Sequence, residues 1–287
     1  MREAWYVPYS PTRLHAERVL VLAPHSDDEV FGCGGTLAML AAAGAEIEVV
    51  IVSRDESGHD RLGESHAAAS LLGYLAPAQW HYADRGLEAA LPELTQQVGD
   101  TLERLRPTLV FAPSPWEIHP DHRAVCDAAM QAAQRYADTH RQQHEEAELR
   151  LALYEIGLPL TVTDFIDITP HWQAKREAMA CFASQLQSQR YDAQISGLNI
   201  YRSYTLGLDV QAAEALHILN AFTPASWPPL PSQQDMALVR CEAALAAART
   251  NASAPEAEHA NAMLDTIYAT RGWRWLTRLK RWLGRGA

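Results

Sequence analysis

Arg18-Val-Leu-Val-Leu-Ala23, followed at once by Pro24-His25-Ser26-Asp27-Asp28-Glu29, is the stretch on which the reading of this chain turns. The first six residues make an apolar run of strand length. The next six put one imidazole and three carboxylates where the chain leaves that run. In an open α/β sheet, ligands sit in the crevice beyond the carboxyl ends of the strands. Outward from this point, apolar runs alternate with helical periods. Gly35 to Ala43 reads as a helix stopped by Gly44, and Glu46 to Ser53, rich in β-branched residues, as a strand. Helices are expected over 61–73 and 91–106, a strand over 108–112 and a helix over 121–137. Leu149 to Ile156 and Asp164 to Ile168 read as further strands, and Thr169-Pro170 as the opening of a helix to about Gln189. Such alternation predicts an α/β, Rossmann-like, mostly parallel sheet with helices on both faces.

A second polar cluster, His119-Pro120-Asp121-His122, follows the apolar run Thr108-Leu-Val-Phe-Ala112, so both clusters fall on one rim of the predicted sheet. His25 and Asp28, three apart at a strand-to-helix turn, can converge on one ion. A third ligand from His119 or His122 completes a two-His, one-carboxylate set with room for water, which suits zinc. Asp27 beside it can act as general base. The run Gly32-Cys-Gly-Gly35 invites a nucleotide-loop reading, but Leu37 stands where the last glycine of that pattern belongs. Two readings from other classes remain: a nucleotide- or cofactor-binding α/β protein of methyltransferase type, and a catalytically silent membrane-associated scaffold.

PHSDDEVFGCGG and HPDH resemble the two motifs of the LmbE-like, or PIG-L, deacetylases, the first motif departing from the family pattern at Ser26, where proline is usual. Arg61-Leu-Gly-Glu64, Lys175 and Ser184-Gln185 are weaker echoes. The resemblance spans about residues 15–220. It implies a zinc-dependent N-deacetylase acting on an N-acetylglucosamine-type conjugate, with one ion per chain on His25, Asp28 and His122. It further implies Asp27 as base, His119 as oxyanion stabiliser or acid to the leaving amine, Asp121 as the partner that keeps His119 charged, and Arg61 as a substrate contact.

The chain has 287 residues and a net charge of -11, enough length for a full core and the wrong sign for a nucleic-acid binder driven by overall charge. Cys33, Cys126, Cys181 and Cys241 form no CxxC pair and read as thiols. No secretory signal and no membrane-spanning apolar stretch is read in the sequence, so a cytoplasmic protein is expected. The expected organisation is a catalytic domain over 1–220, a proline-rich linker over 221–234 and a helical extension over 235–287. In that extension Trp275, Leu276, Leu279, Trp282 and Leu283 share one helical face, and Arg274, Arg278, Arg281 and Arg285 another. Residues 272–287 therefore have the pattern of a helix lying in an anionic membrane interface, with packing against protein as the alternative. A role in bacterial glycan assembly at the inner membrane follows from that pattern and the resemblance together.

Overall fold

The computed structural model describes residues 9–55, 58–142, 148–222 and 228, all within one compact unit, Met1–Pro228. A seven-stranded sheet runs through it in the order β3-β2-β1-β4-β5-β7-β6. Strands β1 (Arg18–Ala23), β2 (Glu46–Arg54), β3 (Ala78–Ala83), β4 (Leu109–Pro113) and β5 (Arg150–Tyr154) are parallel. The last two, β6 (Asp164–Asp167) and β7 (Ala213–Leu219), enter antiparallel, β7 wedged between β5 and β6. The alternation of β1 explains its central place. Val19, Val21 and Ala23 face one core, while Leu20 and Leu22 face the other.

Helices α1 (Asp28–Ala42), α2 (Arg61–Leu72) and α5 (Trp172–Ala180) contribute to the first core, and α3 (Leu91–Leu105) and α4 (Pro120–Gln142) to the second. The chain builds β1, β2 and β3 outward, then returns to lay β4 on the other side of β1. The two strands that diverge at this reversal are therefore the ones that carry the two polar clusters.

Several expectations change. Helix α1 begins at Asp28, seven residues earlier than the sequence suggests, and bends at Cys33 (φ −140°, ψ 16°). The bend frees backbone N–H groups of Gly35 and Thr36, and buried Glu214 accepts both, at 2.8 and 2.7 Å. Lys175, also fully buried, neutralises Glu214 at 2.6 Å and donates to the Phe31 carbonyl at 2.9 Å. The glycine run is thus a packing device: a Cβ on Gly32 would lie 2.3 Å from the Tyr154 ring, and one on Gly35 2.8 Å from Ile168. With side chains filling that space, a phosphate could not approach it, which removes the nucleotide-loop reading.

The single helix expected from Thr169 to Gln189 is instead a 3-10 turn (Thr169–His171), α5, and a short α6 (Ala183–Leu186). The chain leaves the helix at Cys181 so that Phe182 can bury itself against Phe31, ring centroids 5.6 Å apart. Helix α7 (Tyr191–Arg202), β3 and β7 complete the fold. The linker and the C-terminal helices lie outside the described residues, apart from Ala221, Phe222 and Pro228.

Candidate metal centre

Pro24 to Glu29 makes the turn from β1 into α1, and Asp27 takes a left-handed conformation in it (φ 123°, ψ −29°), a rare and costly geometry for a residue with a Cβ. The turn is held from several sides. The Asp27 amide donates to Glu29 Oε2 at 3.1 Å, and the His25 amide to Asp28 Oδ2 at 2.9 Å. The Asp27 carboxylate meets the Arg61 guanidinium at 3.2 Å, and Arg61 also stands 3.6 Å from Asp55. Arg61, expected to touch substrate, is thus engaged with Asp27.

Asp28 Oδ2 is the focus of the site. His25 Nδ1 and His122 Nε2 both lie 3.2 Å from it. His122 comes from the first turn of α4, where Pro120 is preset for a helix start. Behind His122, the buried Glu117 carboxylate stands 3.5 Å from Nδ1 and accepts the amides of Ile156 (2.7 Å) and Gly157 (2.9 Å). Behind His25, Nε2 faces Asp84 at 3.2 Å and Asp121 at 3.4 Å. Each of these imidazoles therefore has a carboxylate at its back, the support that fixes tautomer and ring angle in metal sites.

His119 completes a trio of rings, 4.6 Å from His25 and 5.3 Å from His122 between centroids. Its Nδ1 accepts the Asp121 amide at 3.2 Å, so the neutral ring carries its proton on Nε2. The Asp121 carboxylate does not hold His119 in the expected way. It is taken up by His25 and by the amides of Arg85 (2.6 Å) and Leu87 (3.2 Å). The reason is geometric: at the start of α4 the main chain of Asp121 faces His119 while its carboxylate reaches the β3–α3 turn.

The charges follow from this arrangement. Burial pushes His119 down to about 4, aided by His25 and His122 and only partly opposed by Asp121. Burial would also lower His122 and His25, yet Asp28 and Glu117 lift His122 to about 9, and Asp121, Asp28 and Asp84 raise His25. Asp28 is held far below the ordinary carboxylate range by His122 and His25 against the opposing effect of burial. Asp27 is raised by burial and by Asp28, with Arg61 pulling the other way. Without metal, two protonated imidazoles thus flank one carboxylate. A divalent cation would replace those two protons charge for charge. The spacing agrees, since ligands about 2.0–2.1 Å from a tetrahedral ion sit ~3.3 Å from one another, close to the 3.2 Å observed. Among the described residues, the groups whose ligand atoms all lie within 4.8 Å of one another are His25, His119 and His122, and His25, Asp84 and Asp121. The residues present fit a metal.

Glu117, Asp84 and Asp55 went unread in the sequence as parts of this site, and Glu29 was read in the first cluster without a role. Glu117 is a lone acid in the turn after β4, and Asp84 follows a strand that the pattern did not reveal. The echoes Arg61-Leu-Gly-Glu64 and Ser184-Gln185 prove to interlock: Glu64 accepts the Ser184 amide (2.9 Å) and hydroxyl (2.6 Å). His140 is buried against Tyr136 and Glu103, and His144 lies outside the described residues.

Residues 20–133 match the PIG-L family, described as GlcNAc-PI de-N-acetylase. The chain is 31% identical to a diacetylchitobiose deacetylase of Thermococcus kodakarensis, over 37% of this chain and 45% of the relative. It is 30% identical to a 1D-myo-inositol 2-acetamido-2-deoxy-alpha-D-glucopyranoside deacetylase of Rhodococcus erythropolis, over 41% and 54%. It thus spans about half the length of these curated relatives. Among solved structures, the N,N'-diacetylchitobiose deacetylase from Pyrococcus horikoshii superposes with a TM-score of 0.59 at 26% identity, covering 73% of this chain and 87% of that one.

Proposed function

We propose, from the match of residues 20–133 to the PIG-L family, that this chain is a zinc-dependent amidohydrolase that removes the acetyl group from an N-acetylglucosamine-type conjugate. The observation that carries this reading is that His25 and His122, one from each motif, both stand 3.2 Å from Asp28 at the sheet's reversal, with Asp27 beside it. One ion per chain on those three residues would supply Lewis-acid polarisation of the acetamide carbonyl and acidify a water for attack.

The chain's own residues do the rest. Asp27, with its raised pKa, takes the proton from the attacking water as general base. Arg61 holds that carboxylate in place and opposes the rise. His119 stands next to the converging groups with a proton on Nε2, placed to support the developing oxyanion and to pass the proton to the leaving amine. Glu117 and Asp121 fix the ring angles of His122 and His25. Acetate and a free amino sugar result.

We assign the protein to the cytoplasm and to glycan or glycoconjugate assembly, with residues 272–287 lying on anionic membrane. The support for the membrane contact is the sequence pattern of that segment. Among the described residues no helix is long and apolar enough to cross a membrane. The deciding experiment is acetate release from N-acetylated amino-sugar conjugates by zinc-loaded protein, repeated with Asp28→Ala and His122→Ala, which should lose the ion and the activity together.

A further inference from the structure

Lys175 and Glu214 form an ion pair with both side chains shut off from solvent, and the chemistry proposed above uses neither. Burying such a pair costs desolvation and adds little stability beyond what well-packed apolar side chains would give. Its place in the fold gives it another use. Lys175 comes from α5 and Glu214 from β7, and the two meet at the bend of α1. In an unbroken helix the Phe31 carbonyl would accept the Gly35 amide, and the Gly32 carbonyl the Thr36 amide. Here the Phe31 carbonyl takes Lys175 Nζ at 2.9 Å, and the Gly35 amide turns to Glu214 Oε1 at 2.8 Å. Lys175 closes the gap, 2.6 Å from that same oxygen. Glu214 Oε2 accepts the amide of Thr36 at 2.7 Å and its hydroxyl at 2.5 Å. The pair is thus spliced into the helix where its own ladder opens.

The segment before the bend is short, residues 28–32, and it carries Asp28 at its start. The Tyr154 ring fills the space beside Gly32, and the Tyr154 hydroxyl is tied to the Leu22 carbonyl in β1 at 2.9 Å. The segment therefore has a fixed floor under Gly32 and a fixed anchor at Phe31. Asp28 Oδ2 needs both, because it stands 3.2 Å from His25 on its own turn and from His122 on α4. A metal-binding constellation works only within about 0.5 Å of its productive geometry. We propose that Lys175 and Glu214 are positioning residues of the metal centre: by holding the bend of α1 open, they set where Asp28 stands relative to His122. The proposal rests on the metal-dependent reading given above.

Two measurements on the full-length chain report on ligand geometry without turnover: zinc affinity in competition with a chromophoric chelator, and the visible spectrum of the cobalt(II)-loaded protein. Lys175→Met/Glu214→Leu removes both charges at once, so neither is left buried alone, and α1 can then restore its own Phe31–Gly35 bond. The double variant should fold, shift the cobalt spectrum, and hold zinc at least about tenfold more weakly, the low end of what losing a ligand's support costs. Glu214→Asp keeps the charge and shortens its reach by one methylene. It should weaken zinc in the same direction, and it decides the matter if the double variant does not fold. Leu102→Ala, in the core on the other face of the sheet, should lower the urea midpoint and leave zinc affinity and the cobalt spectrum unchanged. Unaltered zinc affinity and cobalt spectrum in the folded double variant or in Glu214→Asp, or an equal loss of zinc in Leu102→Ala, would overturn the positioning role. An unmodified chain that bound no zinc would sink the metal reading itself, and this proposal with it.

Discussion

Replacing Glu117 with glutamine keeps the shape of the side chain and removes its charge, and the structure says what that should cost. Glu117 is 1% exposed, stands 3.5 Å from His122 Nδ1, and accepts the amides of Ile156 at 2.7 Å and Gly157 at 2.9 Å. A carboxylate behind a metal-binding imidazole typically contributes 10–100-fold in metal affinity, or about 1.4–2.7 kcal/mol. A glutamine oxygen in the place of Oε1 can still accept the Ile156 amide, but its NH2 in the place of Oε2 would meet the Gly157 amide 2.9 Å away donor to donor, and the weakened or lost bond costs about 1–3 kcal/mol of stability. Glu117→Gln should therefore bind zinc about 10–100-fold more weakly in competition with a chromophoric chelator, and also unfold at lower temperature by calorimetry. Lower stability with undiminished zinc affinity would refute the reasoning. Glu117 would then be a clamp on residues 156–157 alone.

Other outcomes follow from the same geometry. Asp27→Asn should retain the ion while kcat falls about 10²–10⁴-fold, the usual contribution of a general base; loss of zinc in that variant would move Asp27 into the ligand set. Burial raises the Glu29 carboxyl from 4.5 to about 7, so the folded metal-free protein keeps a proton that the unfolded chain releases. Its stability should be greatest below about pH 4.5 as far as this group is concerned and fall by up to ~3 kcal/mol as pH rises through 7, and Glu29→Gln should flatten that dependence in urea titrations. Deleting residues 272–287 should abolish sedimentation with anionic vesicles, which salt should already weaken in the intact chain, while hydrolysis of a small substrate is retained; an intact chain that ignores such vesicles at low salt would end the membrane assignment.

The sequence made the central strands legible because residues buried on both faces leave unbroken apolar runs, as in β1 and β4. It hid β3, whose residues Ala78–Ala83 are half exposed at the sheet edge and mix Gln79 and His81 with Trp80 and Tyr82. The bend in α1 was also invisible, since it depends on Glu214, nearly 180 residues away in the chain. The converging site residues were readable because two short motifs each concentrate chemistry within six residues. Their supports were not: Glu117 and Asp84 act through position alone, and nothing about a single acid in a turn marks which ring it will face. Asp121 illustrates the limit most clearly. Its motif suggests a partnership with His119, yet the helix start directs its carboxylate to His25.

The most direct test of the account is the release of acetate and free amine from N,N'-diacetylchitobiose by the zinc-loaded protein, measured beside its Asp28→Ala variant. Equal amounts of acetate and amine from the native protein are expected, with neither product and no bound zinc in the variant. Undiminished turnover in Asp28→Ala, or no acetate from the native protein with this or any other N-acetylated amino sugar, would contradict it.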